Sequence, residues 1–155
     1  MKPALSRQCF SGLSKLASLA AACALVAASY GCAVTLISRY DEQIDKSATS
    51  LQQKMDAFLT ALEYARPQPT FEASQQFYQD YEVRVRSVLI RAQSHPKNEL
   101  SEKQLELMLD SLAHLKELHQ VGPLDTATIR ATRDLFNESW RAIITLEVAK
   151  KRGET

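Results

Sequence analysis

Apolar residues return every three or four positions from residue 37 to residue 146, and breaks rich in Pro, Gly and polar residues divide this pattern into four stretches. That spacing is the period of a helix with one buried face. The first stretch predicts a helix over about 41–65. Its apolar set is Ile37, Tyr40, Ile44, Ala48, Leu51, Met55, Phe58 and Leu62. At 100° per residue these fall in a stripe about 80° wide, as narrow as a coiled-coil seam. The stripe starts before Asp41, so the helix is allowed to extend backward. Arg66-Pro67-Gln68-Pro69 stops it, because proline removes a donor and clashes with the preceding turn.

The second helix is predicted over about 71–93, with Phe71, Tyr78, Tyr81, Val85, Val88, Leu89 and Ala92 on one face. Residues 81–86 alternate as a strand would, but the segments on both sides keep helical spacing. The third is predicted over about 102–120, opened by a capping box of Ser101 and Gln104. Leu105, Met108, Leu109, Leu112 and Leu115 form its main face, with Leu100, Leu107 and Leu118 beside it. Gly122 follows it in the usual place after a helix end. The fourth is predicted over about 126–152, with Asp125 as N-cap. Ile129, Phe136, Trp140 and Ile143 form its stripe, widened by Leu135, Ala142 and Leu146. Trp140 is expected to be buried against the first and third helices. Lys150-Lys151-Arg152 sits where the helix dipole favours cations. Connections of about five to seven residues suit antiparallel neighbours. The expected fold class is all-α: an up-down-up-down four-helix bundle preceded by an N-terminal export signal or anchor helix.

The N-terminal segment has a different character. Lys2, Arg7 and Lys15 precede an uncharged run of 23 residues from Leu16 to Ser38. A basic start followed by an apolar run is the pattern of an export signal. Near the end of the run, Ser29-Tyr30-Gly31-Cys32 resembles a bacterial lipobox, although Ser29 stands where Leu is usual and Tyr30 is bulky. The resemblance implies cleavage between Gly31 and Cys32 and acylation of Cys32. Two alternatives stay open. Twenty-three residues are enough to span a bilayer as an uncleaved anchor, since about 20 suffice, and ordinary cleavage near Ala28 is the other. A positive start retained inside would place the rest of the chain outside in each case. The expected division is a signal or anchor over 1–31, a short tether over 32–40 and a bundle domain over 41–155.

Charge and cysteine content narrow the function classes. The chain carries 19 Lys and Arg against 18 Asp and Glu. Without residues 1–31, 16 cations face 18 acids, a charge of −2. Nucleic-acid binding rests on clustered cations, so none is expected. With 4 Gly and no glycine-rich loop, a phosphate cradle of that kind is disfavoured. Cys9 and Cys23 lie in the N-terminal segment, leaving the bundle without a thiol or a disulfide. Its stability must then come from its hydrophobic core.

No catalytic constellation emerges. His114 and His119 are five apart, which turns the rings about 140° from each other, whereas helical metal pairs are four apart. His95 lies in a Pro-containing loop, and His119 near a helix end suits the dipole. Positions 92, 111 and 116, three before each histidine, hold Ala, Ser and Lys, so no Glu-x-x-His motif of a di-iron bundle is present. Asn137-Glu138-Ser139 is a formal sequon in the middle of a predicted helix, and no weight is placed on it. No enzyme, metal or cofactor is expected. Two features depart from a plain bundle. Glu147 falls in the apolar stripe of the fourth helix. An ion pair with Arg86 or Arg91 would explain it, most simply with Arg91. Val83 and Ile90 lie opposite the core face of the second helix, flanked by Arg84, Arg86 and Arg91. They suit either a partner surface or a second neighbouring helix.

The stretch after residue 31 resembles small, uncharacterised bacterial lipoproteins. The residues that carry this are the Cys32 junction, Tyr40-Asp41 through Asp45-Lys46, Leu51-Gln52-Gln53-Lys54 and Leu146 to Gly153. The resemblance implies a periplasm-facing, membrane-anchored place in the cell envelope and no particular chemistry. Ala33 stands where an Asp retains lipoproteins in the inner membrane of some enteric bacteria, which leans toward the outer membrane. The expectation is a non-enzymatic lipoprotein that binds a protein partner at the membrane. The alternative is a bundle that binds or senses a small ligand near Tyr78, Tyr81 and Trp140.

Overall fold

The computed structural model describes residues 38–153. They form four helices and, among the described residues, no strand: α1 (Glu42–Tyr64), α2 (Phe71–Gln93), α3 (Glu99–Val121) and α4 (Thr126–Gly153). The expected signal or anchor helix and Cys32 lie outside the described residues. Asp41 caps α1, accepting from the amides of Gln43 at 2.8 Å and Ile44 at 3.2 Å. These are two of the N–H groups that a helix start leaves without an intrahelical partner. Thr70 caps α2 through the Ala73 amide at 3.3 Å, and Asp125 caps α4 through the Thr128 amide at 2.7 Å.

The start of α3 differs from the expected capping box. The helix begins three residues earlier, and its first backbone bond runs from the Glu102 amide to the Asn98 carbonyl at 3.1 Å. Ser101 is thus inside the first turn, fully buried, and its hydroxyl has no hydrogen-bond partner. The helix starts earlier because Asn98 is fixed from elsewhere, by contacts described below.

Helix α1 packs on α4 and α2 on α3, with looser contacts between α3 and α4 and between α1 and α2. Residue pairs fix the directions. Asp41, at the start of α1, meets Arg91 at the end of α2 and Glu147 at the end of α4. Tyr78, near the start of α2, meets His119 at the end of α3. Consecutive helices therefore run in opposite directions.

The core follows the period with one shift in α1, where Leu59 is fully buried and the expected Phe58 is only partly buried. Ile44, Ala48, Leu51, Met55 and Leu62 of α1 are buried, and so are Tyr78, Tyr81, Val85, Val88 and Ala92 of α2. Leu105, Met108, Leu112 and Leu115 of α3 meet Ile129, Phe136, Trp140 and Ile143 of α4 in one cluster. Trp140 is fully buried, and its indole N–H donates to the Tyr81 hydroxyl at 2.8 Å, linking α4 to α2. A buried indole needs such an acceptor.

Candidate interaction face and its polar footing

Helix α2 turns Tyr81, Val85 and Val88 inward, so positions 83 and 90, two turns apart, point outward. Val83 is 63% exposed and Ile90 68%. Neither is covered by a second neighbouring helix. The arginines around them divide between two sides. Arg86 donates to Glu82 through Nε at 3.0 Å and Nη2 at 2.8 Å, and Glu82 also accepts from Lys116 of α3 at 3.0 Å. The hydrogen bonds from Arg86 and Lys116 hold the Glu82 carboxyl below its usual range. Arg84 and Arg91 turn toward α1 and line an open groove between the two helices. Arg84 has no ion pair among the described residues.

Below this face, at the end where the chain enters α1, lies a connected set of buried polar groups. Glu147 is fully buried. It accepts from the ammonium of Lys150 and from the Asp41 amide at 3.1 Å. Lys150, 3% exposed, also donates to Asn98 Oδ1 at 2.7 Å. Asn98 accepts from the Ser38 hydroxyl at 3.1 Å and donates to the Ala92 carbonyl at 3.0 Å. The Ser38 amide donates to the Lys97 carbonyl at 3.1 Å, and Lys97 takes φ 64° to close the turn between α2 and α3. Asp41 completes the set, with Arg91 Nε at 2.7 Å and His95 Nε2 at 2.8 Å on the same carboxylate oxygen. Burial opposes ionisation of Asp41. The hydrogen bond from Arg91 and those from the Ile44 and Gln43 amides outweigh it and hold the carboxyl below its usual range.

The expected ion pair between Glu147 and Arg91 is therefore not formed. Arg91 pairs with Asp41 and Glu147 with Lys150. The reason is geometric: Lys150 is three residues after Glu147, on the same face of α4, where it can share the same buried site. Arg86 is engaged with Glu82. The network works as a clasp, in which the segment before α1, the turn between α2 and α3 and the last turns of α4 fasten one another.

The opposite end has its own polar buried group. His119, in the last turn of α3, is 2% exposed. Its Nε2–H donates to the Pro69 carbonyl at 3.0 Å, and its Nδ1 lies 2.8 Å from the Tyr78 hydroxyl. Burial pushes the Tyr78 hydroxyl up from its ordinary value, which keeps its proton in place. Phe58 and Phe71 pack around this pair. Gln68 ties the connection before α2 to the one before α4. It donates to the Leu62 carbonyl at 2.8 Å and the Leu124 carbonyl at 3.0 Å, and accepts from the Leu124 amide at 2.7 Å.

The side chains expected to line a ligand pocket are already engaged: Tyr78 with His119, and Tyr81 with Trp140 by hydrogen bond and with Phe77 and Phe136 by ring contacts. Among the described residues, no group of three or more His, Cys, Asp and Glu could hold a metal ion. No helix among them is long and apolar enough to cross a membrane. No family model, curated protein or solved structure matches the chain.

The period of apolar residues places Val83 and Ile90 correctly on the outer face. It does not reveal Ser38, Asp41, Asn98 or Lys150 as one network. A usable signal was the i, i+3 spacing of Glu147 and Lys150, which sets an acid and a base on one face.

Proposed function

We propose that this protein is a membrane-tethered lipoprotein of the bacterial cell envelope, a non-enzymatic module that presents the outer face of α2 to a protein partner. Residues 1–31 act as the signal, Cys32 carries the lipid, and the tether of a bundle facing the periplasm, expected over 32–40, ends at Ser38, which is fastened to the bundle; the outer membrane is favoured. The single observation behind the partner surface is the exposure of Val83 and Ile90, at 63% and 68%, on a helix whose other large apolar side chains turn toward the core. Exposed apolar residues aligned along one helix face and flanked by arginine have the make-up of an interface centre, where apolar anchors and Arg are enriched.

The short tether supports a partner close to the membrane. Ser38 is bound to the bundle, which leaves six residue steps from Cys32. Fully extended, these reach about 20 Å. Partners across the periplasm would need a longer polar linker.

The test is photo-crosslinking in cells from position 90, with mass spectrometry of the captured species. A single predominant protein adduct is expected, lost when Val83→Asp is added to the crosslinking variant without change in its thermal stability. Undiminished capture with Val83→Asp present would refute the surface. Lipidation is tested apart from it: Cys32→Ser should abolish acyl labelling, and persistent labelling would remove the lipoprotein assignment.

A further inference from the structure

The groove between α1 and α2 has a chemistry that the protein-docking proposal does not use. Its volume is about 630 Å³, and Lys46, Arg84 and Arg91 line it with no carboxylate among the lining residues. Ser47 and Ser50 add two hydroxyls, while the Ser87 hydroxyl donates to the Val83 carbonyl at 2.8 Å. Leu51 and Val88, both in the core, form its apolar floor. Hydroxyls beside convergent cations suit an oxyanion, whose oxygens accept from both.

The cations differ in how free they are. Lys46 reaches back to Glu42 at 2.8 Å, a pair in which both side chains are about two-thirds exposed or more. Such exposed pairs hold weakly and exchange readily for another anion. Arg91 is oriented by Asp41, which takes only its Nε at 2.7 Å. Its two Nη groups make no hydrogen bond among the described residues, and the side chain lines the groove. Arg84 has no counter-charge among the described residues. A planar guanidinium with free N–H groups matches phosphate oxygens two at a time.

We infer that the α1–α2 groove binds a phosphate-bearing ligand, with Arg84 and Arg91 gripping the phosphate oxygens, Lys46 adding charge and the Ser47 and Ser50 hydroxyls completing the donor set. Two sources carry this chemistry, free phosphate and the headgroup of an anionic phospholipid. The groove opens near the end where the chain enters α1. The inference does not depend on any protein partner at Val83 and Ile90.

The test uses the full chain in uncharged detergent micelles, with the arginine Nε–H signals followed by NMR. One arm titrates inorganic phosphate, and the other dopes the micelles with phosphatidylglycerol. Saturable shifts of the Arg84 and Arg91 signals are expected in at least one arm, and the responding arm identifies the source. Arg84→Gln should weaken binding about tenfold, as loss of a charge-assisted contact does. Arg141→Gln, which removes an exposed cation from α4, should leave it unchanged. No saturable shift in either arm would overturn the inference. Equal weakening by Arg84→Gln and Arg141→Gln would overturn it too, because binding would then be diffuse charge attraction. Thermal melts of both variants keep loss of fold separate from loss of binding.

Discussion

Glu147 and Lys150 hold opposite charges in a place closed to water, with side chains 0% and 1% exposed. Taking two charges out of water is costly, and mutual attraction plus extra hydrogen bonds offset that cost only while both partners remain. Glu147→Gln therefore strands a buried ammonium. The expected loss is about 3–5 kcal/mol in denaturant unfolding. The double variant Glu147→Leu, Lys150→Met should recover most of that loss, since apolar pairs of similar volume often replace buried ion pairs at no net cost. A double variant no more stable than Glu147→Gln would show that the bonds to Asn98 and Asp41 matter more than the charges. Asp41 gives a pH-dependent signature. Its carboxyl is held below its usual range when folded, so the folded state gains stability from its ionisation. That gain is fully present above the unfolded value of about 3.9 and disappears as pH falls through the lower, folded one. Asn is also a good N-cap, so Asp41→Asn isolates the charge. Thermal melts should show the variant's deficit at neutral pH shrinking as pH drops below about 4. A deficit independent of pH would assign it to the cap alone.

At the scale of the helices, periodicity is a dependable guide to which face is buried and a poor one to how ends are fastened. Trp140 illustrates the first point: its place in the α4 stripe predicts burial, and it is fully buried. Trp140→Ala should cost about 3–5 kcal/mol, from lost apolar contact and the cavity left behind. Trp140→Phe should cost less, leaving mainly the Tyr81 hydroxyl without its donor. Urea unfolding of the two variants separates packing from the hydrogen bond, and a loss below about 1 kcal/mol for the alanine variant would place the core elsewhere. Ser101 illustrates the second point. Its spacing to Gln104 fits a capping box, yet it lies inside the first turn of α3 because Asn98 is held by Ser38 and Lys150. Those partners are distant in sequence, and no local pattern contains them. Lys150 has neighbours of the same charge in Lys151 and Arg152, so composition marks only a basic helix end. The turn of α4 puts Lys150 in the interior while Lys151 lies 5.1 Å from the Tyr40 ring and Arg152 is exposed.

At the scale of the whole molecule, the clasp sets how the bundle is carried. Because Ser38 is fastened to Lys97 and Asn98, the freedom of any anchor at Cys32 is confined to the few residues between them. Inserting 20 Gly/Ser residues after Ala33 should leave the melting temperature unchanged. On the proposed lipid anchor it should weaken crosslinking at position 90, because a longer flexible tether would dilute the bundle near the membrane. Crosslinking that rises with tether length would move the partner away from that membrane.

The clasp also imposes an order on folding. Asp41 and Glu147 are 106 positions apart, yet the amide of one needs the carboxylate of the other. A chain that emerges from its N-terminus can complete α1, α2 and α3 while this amide still waits for its acceptor. The network closes only after the last turns of α4 have appeared.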